Sequence, residues 1–250
     1  MKNITIVITG ATSGIGELLA KRLATKNNSL ILTGRNKEKL KDLKEELSIL
    51  CKEVITFPVE FSNNKDVKNF ASICKEASVV INSAANFGPT LNVLNVSEKE
   101  ILDAFKVNVL APLTLVKSVL PFMIKNNYGR IINIGSTGGL SGYPLRSPYC
   151  LSKNALVAYT KTLNGEIRSG EYGIISDVKA FCVCPGPIVG ERLEKQIKSR
   201  AEYKSISTDE TRKKFKSILK RFLTPEEVVN KIISLINLED EFSGQDVITF

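Results

Sequence analysis

The chain has 250 residues, of which 43% are hydrophobic and 24% are charged. This composition is ordinary for a globular protein that buries its own core without metal or disulfide support. The chain contains no histidine, which excludes Ser-His-Asp and Cys-His catalysis and the usual zinc sites, so no metal site is predicted. Any proton transfer near neutral pH must therefore use a tyrosine, a lysine, a cysteine, a carboxylate or water.

Cysteine spacing, hydropathy and charge bear on location and partners. The five cysteines form no Cys-x-x-Cys pair, which indicates reduced thiols in a cytoplasmic protein. The N-terminal residues enter a strand pattern at once and no apolar run is long enough for a bilayer, so neither a targeting segment nor a membrane partner is expected. The formal net charge is +9, but the basic residues follow no nucleic-acid-reading motif, and no nucleic-acid partner is expected.

The first predicted unit is a strand over residues 4–9, a glycine-rich turn and a helix. Glycines in such a turn let backbone N–H groups approach an anion, and the dipole of the following helix favours negative charge. The sequence therefore predicts a phosphate cradle for a nucleotide cofactor, with a plain tight turn as the alternative. The cradle consists of Gly10, Thr12, Ser13, Gly14, Ile15 and Gly16.

The second strand, predicted over residues 30–33, ends in Gly34 and Arg35. An acid at this place in dinucleotide-binding folds holds the ribose hydroxyls, whereas an arginine suits a 2′-phosphate. Arg35 therefore favours NADP(H) and leaves NAD(H) as an alternative. A second alternative is that Arg35 only opens a solvated helix.

Strands and helices continue to alternate along the chain. A helix over 37–50 leads to a strand over 54–59 that ends in Glu60 and Phe61, and a strand over 79–81 ends in Asn82 and Ala84. A capping box, Ser97 with Glu100, opens a helix that carries Asn108 and breaks or kinks at Ala111 and Pro112. This alternation predicts an α/β fold with a parallel sheet in a single domain.

Residues 130–153 carry the most informative pattern. A β-branched strand over 131–134 runs into a turn that holds Ser136, and Tyr149 and Lys153 follow in a predicted helix. A separation of four residues puts the phenol and the ammonium on one helix face. Ser136 would lie at the carboxyl end of the strand, where open α/β sheets bind their ligands. The pattern predicts that the hydroxyl, the phenol and the ammonium meet in one crevice.

The last third of the chain combines a strand with a strongly basic segment. The strand over 177–184 is followed by Pro185, Gly186 and Ile188, and the final strand covers 246–249. Residues 191–221 hold eleven Lys or Arg against five Asp or Glu. Within this segment Ser207 and Glu210 are expected to cap a helix with one apolar stripe. The stripe consists of Phe215, Ile218, Leu219, Phe222 and Leu223.

Taken together, these motifs resemble the classical short-chain dehydrogenase/reductase family over nearly the whole chain. The resemblance implies a Rossmann-like, doubly wound parallel sheet of about seven strands flanked by helices, with a substrate lid at about 190–223. It implies an oxidoreductase that transfers a hydride between a nicotinamide and a carbonyl or secondary alcohol. The implied catalytic tetrad is Asn108, Ser136, Tyr149 and Lys153.

The resemblance also assigns roles. Tyr149 would be the acid and base, because an adjacent ammonium and the nicotinamide lower the pKa of its phenol. Lys153 would also hold the ribose hydroxyls, Ser136 would orient the substrate oxygen, and Asn108 would hold a water. The implied cofactor contacts are Gly10, Thr12, Ser13, Gly14, Ile15, Gly16, Arg35, Glu60, Phe61, Asn82, Ala84, Tyr149, Lys153, Pro185, Gly186 and Ile188.

The sequence departs from the family pattern in a few places. Ala85 replaces a glycine near the cofactor path, Glu60 replaces an aspartate, and Gly190 stands where a threonine is usual. The chain also lacks the family's common Asp-Gly-Gly ending. A homodimer or homotetramer built on the helices of Asn108 and Tyr149 is implied by the resemblance alone.

Substrate identity stays open between several alternatives. The basic lid would suit an acidic or thioester-linked substrate, and Arg130 resembles an arginine of carrier-dependent 3-oxoacyl reductases, although Tyr172 stands where those enzymes often have a second basic residue. A general carbonyl reductase with a merely solvated lid is equally consistent with the sequence. Two further alternatives are a cofactor-binding, redox-sensing protein with little turnover and membrane-surface association through residues 212–223.

Overall fold

The computed structural model describes residues 4–172, 177–218, 221–237 and 245–250. Most strands coincide with the predicted ones to within two residues. In chain order the elements are β1 (Ile4–Thr9), α1 (Gly14–Leu23), β2 (Asn28–Gly34), α2 (Lys37–Ser48), β3 (Glu53–Pro58), α3 (Asn64–Ile73), β4 (Val79–Asn82), a 3₁₀ turn (Val93–Asn95), α4 (Glu98–Phe105), a π turn (Lys106–Leu110), α5 (Ala111–Lys125), β5 (Gly129–Ile134), α6 (Gly138–Ser141), α7 (Ser147–Ser169), β6 (Val178–Val183), α8 (Glu191–Lys204), α9 (Thr208–Ile218), α10 (Pro225–Asn237) and β7 (Val247–Ile248).

The strands form one parallel sheet in the order β3-β2-β1-β4-β5-β6-β7. The order reverses between β1 and β4, where Thr9 at the end of β1 lies between Thr33 and Asn82 of the neighbouring strands. Ligands of open α/β sheets bind in the crevice at such a reversal. The predicted Rossmann-like sheet of seven strands is confirmed.

Helices cover both faces of the sheet, as a buried parallel sheet requires. Successive residues of β1 point to opposite faces, so Ile6 and Ile8 pack in one core and Val7 in the other. The first core includes apolar side chains of α1, α2 and α10, and the second includes those of α3, α5 and α7. Packing in these two cores fixes the positions of the helices, including those whose N-termini face the crevice.

The helix that carries Asn108 does not end at Ala111 and Pro112. A π turn over Lys106–Leu110 joins α4 to α5, so Pro112, in the first turn of α5, lies inside the joined helix, where it has no N–H to donate. The predicted break or kink is therefore not a break but a π turn just before Ala111. The joined helix Glu98–Lys125 is long and apolar enough to span a membrane by length and composition, so the expectation that no such run exists is wrong. More than half of its apolar window is nevertheless buried inside the protein.

The basic lid contains two helices, α8 and α9. Leu193 and Ile197 of α8 pack against Phe215 of α9, and Phe222, which follows α9, packs against the same cluster. Leu223 instead packs in the core beside the sheet. The predicted stripe is therefore wrong at Leu223, and its member Leu219 lies outside the described residues.

Both ends of the lid are tied to the body of the protein. Backbone hydrogen bonds join Val189 and Pro187 to Leu223 at 2.9 Å each. A capping box of Thr224 and Glu227 then starts α10. The lid therefore leaves and rejoins the core at one place, next to the carboxyl end of β6.

Candidate active site

Three of the four predicted tetrad side chains line one cavity of about 370 Å³, a volume typical of small-molecule sites. They are Ser136, which follows β5, and Tyr149 and Lys153, one turn apart on α7. The Lys153 Nζ atom donates a hydrogen bond to the Ile134 carbonyl at 2.6 Å and lies 5.8 Å from the centroid of the Tyr149 ring. The structure thus brings the hydroxyl, the phenol and the ammonium together.

Burial dominates the titration of this group. Desolvation lowers the pKa of Lys153 to about 8, because a buried ammonium loses its water. Burial also raises the pKa of the Tyr149 phenol, outweighing the hydrogen bond to Ser136 and the charges of Arg146 and Arg192, which lower it. In the protein without cofactor, desolvation is therefore the larger effect. The lowered tyrosine pKa expected with a bound nicotinamide stays a prediction.

Asn108 is buried away from the cavity walls, in the π turn. Its Oδ1 atom accepts a hydrogen bond from the Asn86 backbone N–H at 2.7 Å, and its Nδ2 atom donates to the Asn86 carbonyl and to Ser152 Oγ, both at 2.8 Å. These bonds occupy both donors of the amide and one acceptor site. Asn108 therefore holds the loop after β4 against α7, and a water bridging to Lys153 would need its main-chain carbonyl.

The glycine turn has the geometry of an anion cradle. Gly10 and Gly14 have φ angles of +68° and +54°, which favour glycine. A Cβ atom on Gly16 would lie 2.3 Å from the Gly10 carbonyl oxygen, whereas one on Gly14 would project into open space. The N-cap Ser13 makes no side-chain hydrogen bond, so the first N–H groups of α1 stay free for an anion. These residues fit the pyrophosphate of a dinucleotide.

Arg35 lies exposed between β2 and α2, beside a second cation that the sequence analysis missed. Lys39 Nζ donates a hydrogen bond to the Thr12 carbonyl at 3.5 Å, which places this ammonium next to the glycine turn. A Cβ atom on Gly34 would lie 2.6 Å from Thr12 Oγ1, so a side chain at that position would collide with the turn. Lys39 lies in the first turn of α2, four positions after Arg35, and this place just after the predicted cofactor corner is the signal that could have identified it.

Asn82 and Ala84 form the floor of the cradle. Asn82 Nδ2 donates to Asn133 Oδ1 at 2.8 Å, while Asn82 Oδ1 is buried without a hydrogen-bond partner among the described residues. Thr9 Oγ1 accepts the backbone N–H groups of Ser83 and Ala84, each at 3.0 Å. The ends of β1 and β4 are therefore cross-linked directly beneath the glycine turn.

Glu60 and Phe61 are placed less favourably for a ligand. The Phe61 ring is buried and packs edge-on against Phe70, with centroids 6.5 Å apart, so its side chain belongs to the core. The exposed Glu60 carboxylate accepts hydrogen bonds from the N–H and hydroxyl of Ser62 at 3.2 and 2.9 Å. A cofactor contact from Phe61 would have to use its backbone.

The segment after β6 forms the opposite wall of the cavity. Pro185, Gly186 and Ile188 line it, together with Ile15 from the cradle and Ala85, the residue that departs from the family pattern. The Pro185 carbonyl accepts the Thr137 N–H at 3.1 Å, which joins this segment to the turn that carries Ser136. Gly190, the residue just before α8, has a φ angle of +138°. This conformation favours glycine and explains why glycine replaces the usual threonine there.

Aromatic and basic side chains that the sequence analysis missed surround the phenol. The Phe87 ring stacks on the Tyr149 ring, with centroids 5.2 Å apart and planes at 20°. Arg146 Cζ lies 5.4 Å from the Tyr149 centroid, and Arg192 Cζ lies 4.6 Å from the Phe87 centroid. Arg146 stands three residues before Tyr149, and this helical spacing is the sequence signal that could have identified it. The sequence around Phe87 and Arg192 carries no such signal.

Arg130 is not free to bind a carrier protein. It lies within β5, is 3% exposed, and forms a salt bridge with Asp177 at 3.0 Å. Its guanidinium also donates to the carbonyls of Gly129 and Asp177 and lies 4.6 Å from the centroid of the Tyr128 ring. The predicted likeness to a carrier-binding arginine is therefore wrong, because these local contacts occupy the side chain.

Sequence comparisons connect this site to known proteins. The short chain dehydrogenase family matches residues 4–201. Estradiol 17-beta-dehydrogenase 11 from Homo sapiens is 35% identical over 184 residues, which cover 72% of this chain but only 60% of that protein. The 3-oxoacyl-(acyl-carrier-protein) reductase FabG from Rickettsia prowazekii is 30% identical over 199 residues, covering 79% of this chain and 78% of that protein.

Solved structures share the fold over the whole chain. NAD+-bound xylitol dehydrogenase superposes with a TM-score of 0.84 at 21% identity, covering 100% of this chain and 98% of that chain. A variant of actinorhodin polyketide ketoreductase with NADPH has a TM-score of 0.84 at 23% identity, covering 100% and 97%. At these identities the likeness shows the fold alone. The family match over residues 4–201 and the reductase relative, covered over 78% of its length, show that the chain belongs to the short-chain dehydrogenase/reductase family.

Proposed function

We propose that this protein is an NADP(H)-dependent oxidoreductase that interconverts a carbonyl group and a secondary alcohol. The observation that carries the proposal is the meeting of Ser136, Tyr149 and Lys153 at one cavity beside the glycine cradle. Estradiol dehydrogenase and 3-oxoacyl reductase are the names of relatives, and both names describe carbonyl or alcohol chemistry. A cytoplasmic location remains a prediction from the sequence.

The side chains divide the proton chemistry between them. A dinucleotide whose pyrophosphate lies in the cradle would bring the nicotinamide that supplies or accepts the hydride. The Tyr149 phenol donates its proton to the carbonyl oxygen as negative charge develops there, and the Ser136 hydroxyl donates a hydrogen bond that orients the same oxygen. Because burial raises the pKa of Tyr149, the phenol keeps its proton at neutral pH until the oxyanion forms.

Lys153 supports the phenol and the cofactor. The Ile134 carbonyl accepts one of its hydrogen bonds at 2.6 Å, which leaves two further N–H donors on the ammonium. These donors would hold the ribose hydroxyls, and the positive charge stabilises the phenolate that remains after proton transfer. In the oxidative direction the same phenolate accepts the proton of the alcohol.

The choice of NADP(H) rests on the corner between β2 and α2. Arg35 and Lys39 together present two cations beside Thr12 of the cradle, and the acid that would hold a free ribose 2′-hydroxyl is replaced there by Gly34 and Arg35. Both side chains are able to donate charge-assisted hydrogen bonds to a 2′-phosphate.

The test measures NADPH oxidation by the purified protein with acetoacetyl thioesters, small neutral ketones and aldehydes, with NADH in parallel. We expect turnover with NADPH, and Tyr149→Phe should lower kcat by about 10²- to 10⁴-fold, the usual contribution of a general acid. NADPH binding, measured by the fluorescence of the reduced nicotinamide, should survive in the variant. A variant that keeps a tenth of the wild-type kcat would refute the role of Tyr149.

The same panel separates the alternatives. Thioester reduction would support a 3-oxoacyl reductase, and activity restricted to neutral carbonyls would support a general carbonyl reductase. Tight NADPH binding without turnover on any carbonyl would favour the redox-sensing alternative over the enzyme.

A further inference from the structure

Arg146 is a charged cavity side chain without a charged partner among the described residues. Arg146 is only 6% exposed, yet its Nε atom lacks a hydrogen-bond partner, and no salt bridge is formed by its guanidinium within the described part of the chain. A buried charge is costly unless it is paired and hydrogen-bonded. The expense of burying Arg146 suggests that its partner arrives with a ligand.

The surrounding cavity is positively charged. Four cations line it, Arg146, Lys153, Arg192 and Lys195, and the described lining residues include no aspartate or glutamate. The nearest lid acid, Glu191, forms a salt bridge with Lys195 at 2.5 Å and does not line the cavity. Burial lowers the pKa of Arg146, because its guanidinium loses water without gaining an acidic partner among the described residues.

Ring stacking explains where the two arginines lie, but it does not provide acceptors for the N–H groups of their guanidiniums. Arg146 lies 5.4 Å from the Tyr149 centroid and 5.9 Å from the Phe87 centroid, and Arg192 lies 4.6 Å from the Phe87 centroid, so both arginines border the stacked ring pair. A guanidinium that stacks on a ring uses its face and leaves its N–H donors in the plane. That planar fork matches the two oxygens of a carboxylate.

We propose that Arg146, assisted by Arg192, binds a carboxylate on the substrate, so that the preferred substrate is an oxo acid or the corresponding hydroxy acid. This inference rests on the proposed function. The carbonyl oxygen would lie at Tyr149, and the carboxylate a few bonds away would accept N–H bonds of about 2.8 Å from Arg146. Arg146 is buried beside the phenol and not at the cavity rim, which favours a free acid over the distant phosphates of a carrier.

The kinetic test compares each acid with its methyl ester, so that only the charge differs. Acetoacetate and levulinate are set against methyl acetoacetate and methyl levulinate, with NADPH. Arg146→Gln should raise KM for the acids by about 10- to 150-fold, the range expected for hydrogen bonds to a charged group. The kcat values and the ester kinetics should change less than about threefold, within the scatter of near-neutral contacts.

Two further variants sharpen the result. Arg146→Lys keeps the charge but loses the fork, so it should restore only part of the affinity for the acids. Lys198→Gln removes an exposed charge from α8 that does not line the cavity and should leave both acids and esters unaffected. An equal fall of kcat for acids and esters in Arg146→Gln would overturn the proposal, because the arginine would then act through Tyr149.

Binding without turnover provides a readout that does not depend on catalysis. Calorimetric titration of the NADP+-saturated protein with butyrate should show binding that weakens at least tenfold in Arg146→Gln, the low end of the range for such bonds, whereas butyramide should bind equally poorly to both. Arg146-dependent butyrate binding by a protein that reduces no carbonyl would refute the proposed function and keep the anion site. Reduction of esters and acids with equal KM would refute the anion site and keep the function.

Discussion

At the scale of single residues, the proposed chemistry depends on keeping a buried lysine charged. Lys153 is 2% exposed, and the Ile134 carbonyl is its one described hydrogen-bond partner. Burial lowers the pKa of Lys153 to about 8 from its usual value of 10.5. Burial of the charged Lys153 therefore lowers the stability of the folded protein, a trade-off between stability and function that is common in active sites.

This linkage predicts a pH-dependent stability difference between the wild type and Lys153→Met. Between pH 8 and 10.5 the unfolded state binds more protons at Lys153 than the folded state does, so the wild-type free energy of unfolding rises with pH in that window. Relative to the variant, the wild type should gain about 3 kcal/mol from pH 7 to pH 10.5. Urea denaturation at a series of pH values measures the difference, and a constant difference across the window would contradict the pKa of about 8.

Residues with fixed spacing were predictable, and residues brought together by loops were not. Tyr149 and Lys153 lie one helical turn apart, so their shared face follows from the spacing alone. Phe87 stacks on Tyr149 from a loop after β4, 62 positions earlier in the numbering. No local pattern encodes such a contact, and the burial that raises the pKa of Tyr149 depends on it and on similar contacts.

At the scale of elements, the proposed preference for NADP(H) is tested at the junction of β2 and α2. Arg35→Ala should weaken NADPH binding by about 10- to 150-fold, because it removes charge-assisted hydrogen bonds to the 2′-phosphate. NADH binding should change little, since NADH lacks that phosphate. Fluorescence titration of both reduced cofactors measures the two dissociation constants.

A matched control lies on the same helix. Lys41 is exposed on α2 and lies 3.9 Å from Glu45, so Lys41→Ala removes one positive charge at a position farther from the cradle. It should leave both dissociation constants nearly unchanged. A loss of NADPH affinity equal to that of Arg35→Ala would mean that general charge, and not a specific contact, selects the cofactor.

The elements themselves were largely predictable, with two exceptions that have physical causes. Strands such as β1 (Ile4–Thr9) follow from runs of β-branched residues that fit a sheet buried on both faces. The π turn over Lys106–Leu110 was not predictable, because its shifted hydrogen-bond register is stabilised by the contacts of Asn108 with Asn86 and Ser152. The end of α9 was missed because Leu223 continues the helical spacing yet packs in the core.

At the scale of the whole molecule, α4 and α7 leave large apolar side chains exposed. Leu102, Leu110 and Leu151 are 58%, 52% and 50% exposed on or next to these helices. These are the helices on which the family resemblance implies a homodimer. We predict a dimer through this face, because burial of such side chains is the main favourable term in stable association.

Sedimentation velocity tests the dimer. Leu151→Asp would place a charge in the interface and should shift the protein to a monomer at micromolar concentration, since an unpaired buried charge is strongly unfavourable. Leu94→Asp is the matched control, because Leu94 is 88% exposed on the 3₁₀ turn outside both helices. A wild type that sediments as a monomer would contradict the prediction, and so would a Leu151→Asp variant that remains dimeric.

The central claim is that Tyr149 gives a proton to a carbonyl while a hydride arrives from the nicotinamide. The most direct measurement supplies NADPH carrying deuterium at both C4 positions and analyses the alcohol product by mass spectrometry. We expect one deuterium on the former carbonyl carbon with the wild type, and a yield at least about 10²-fold lower in the same time with Tyr149→Phe. An alcohol without deuterium, or an equal yield from the variant, would contradict the account.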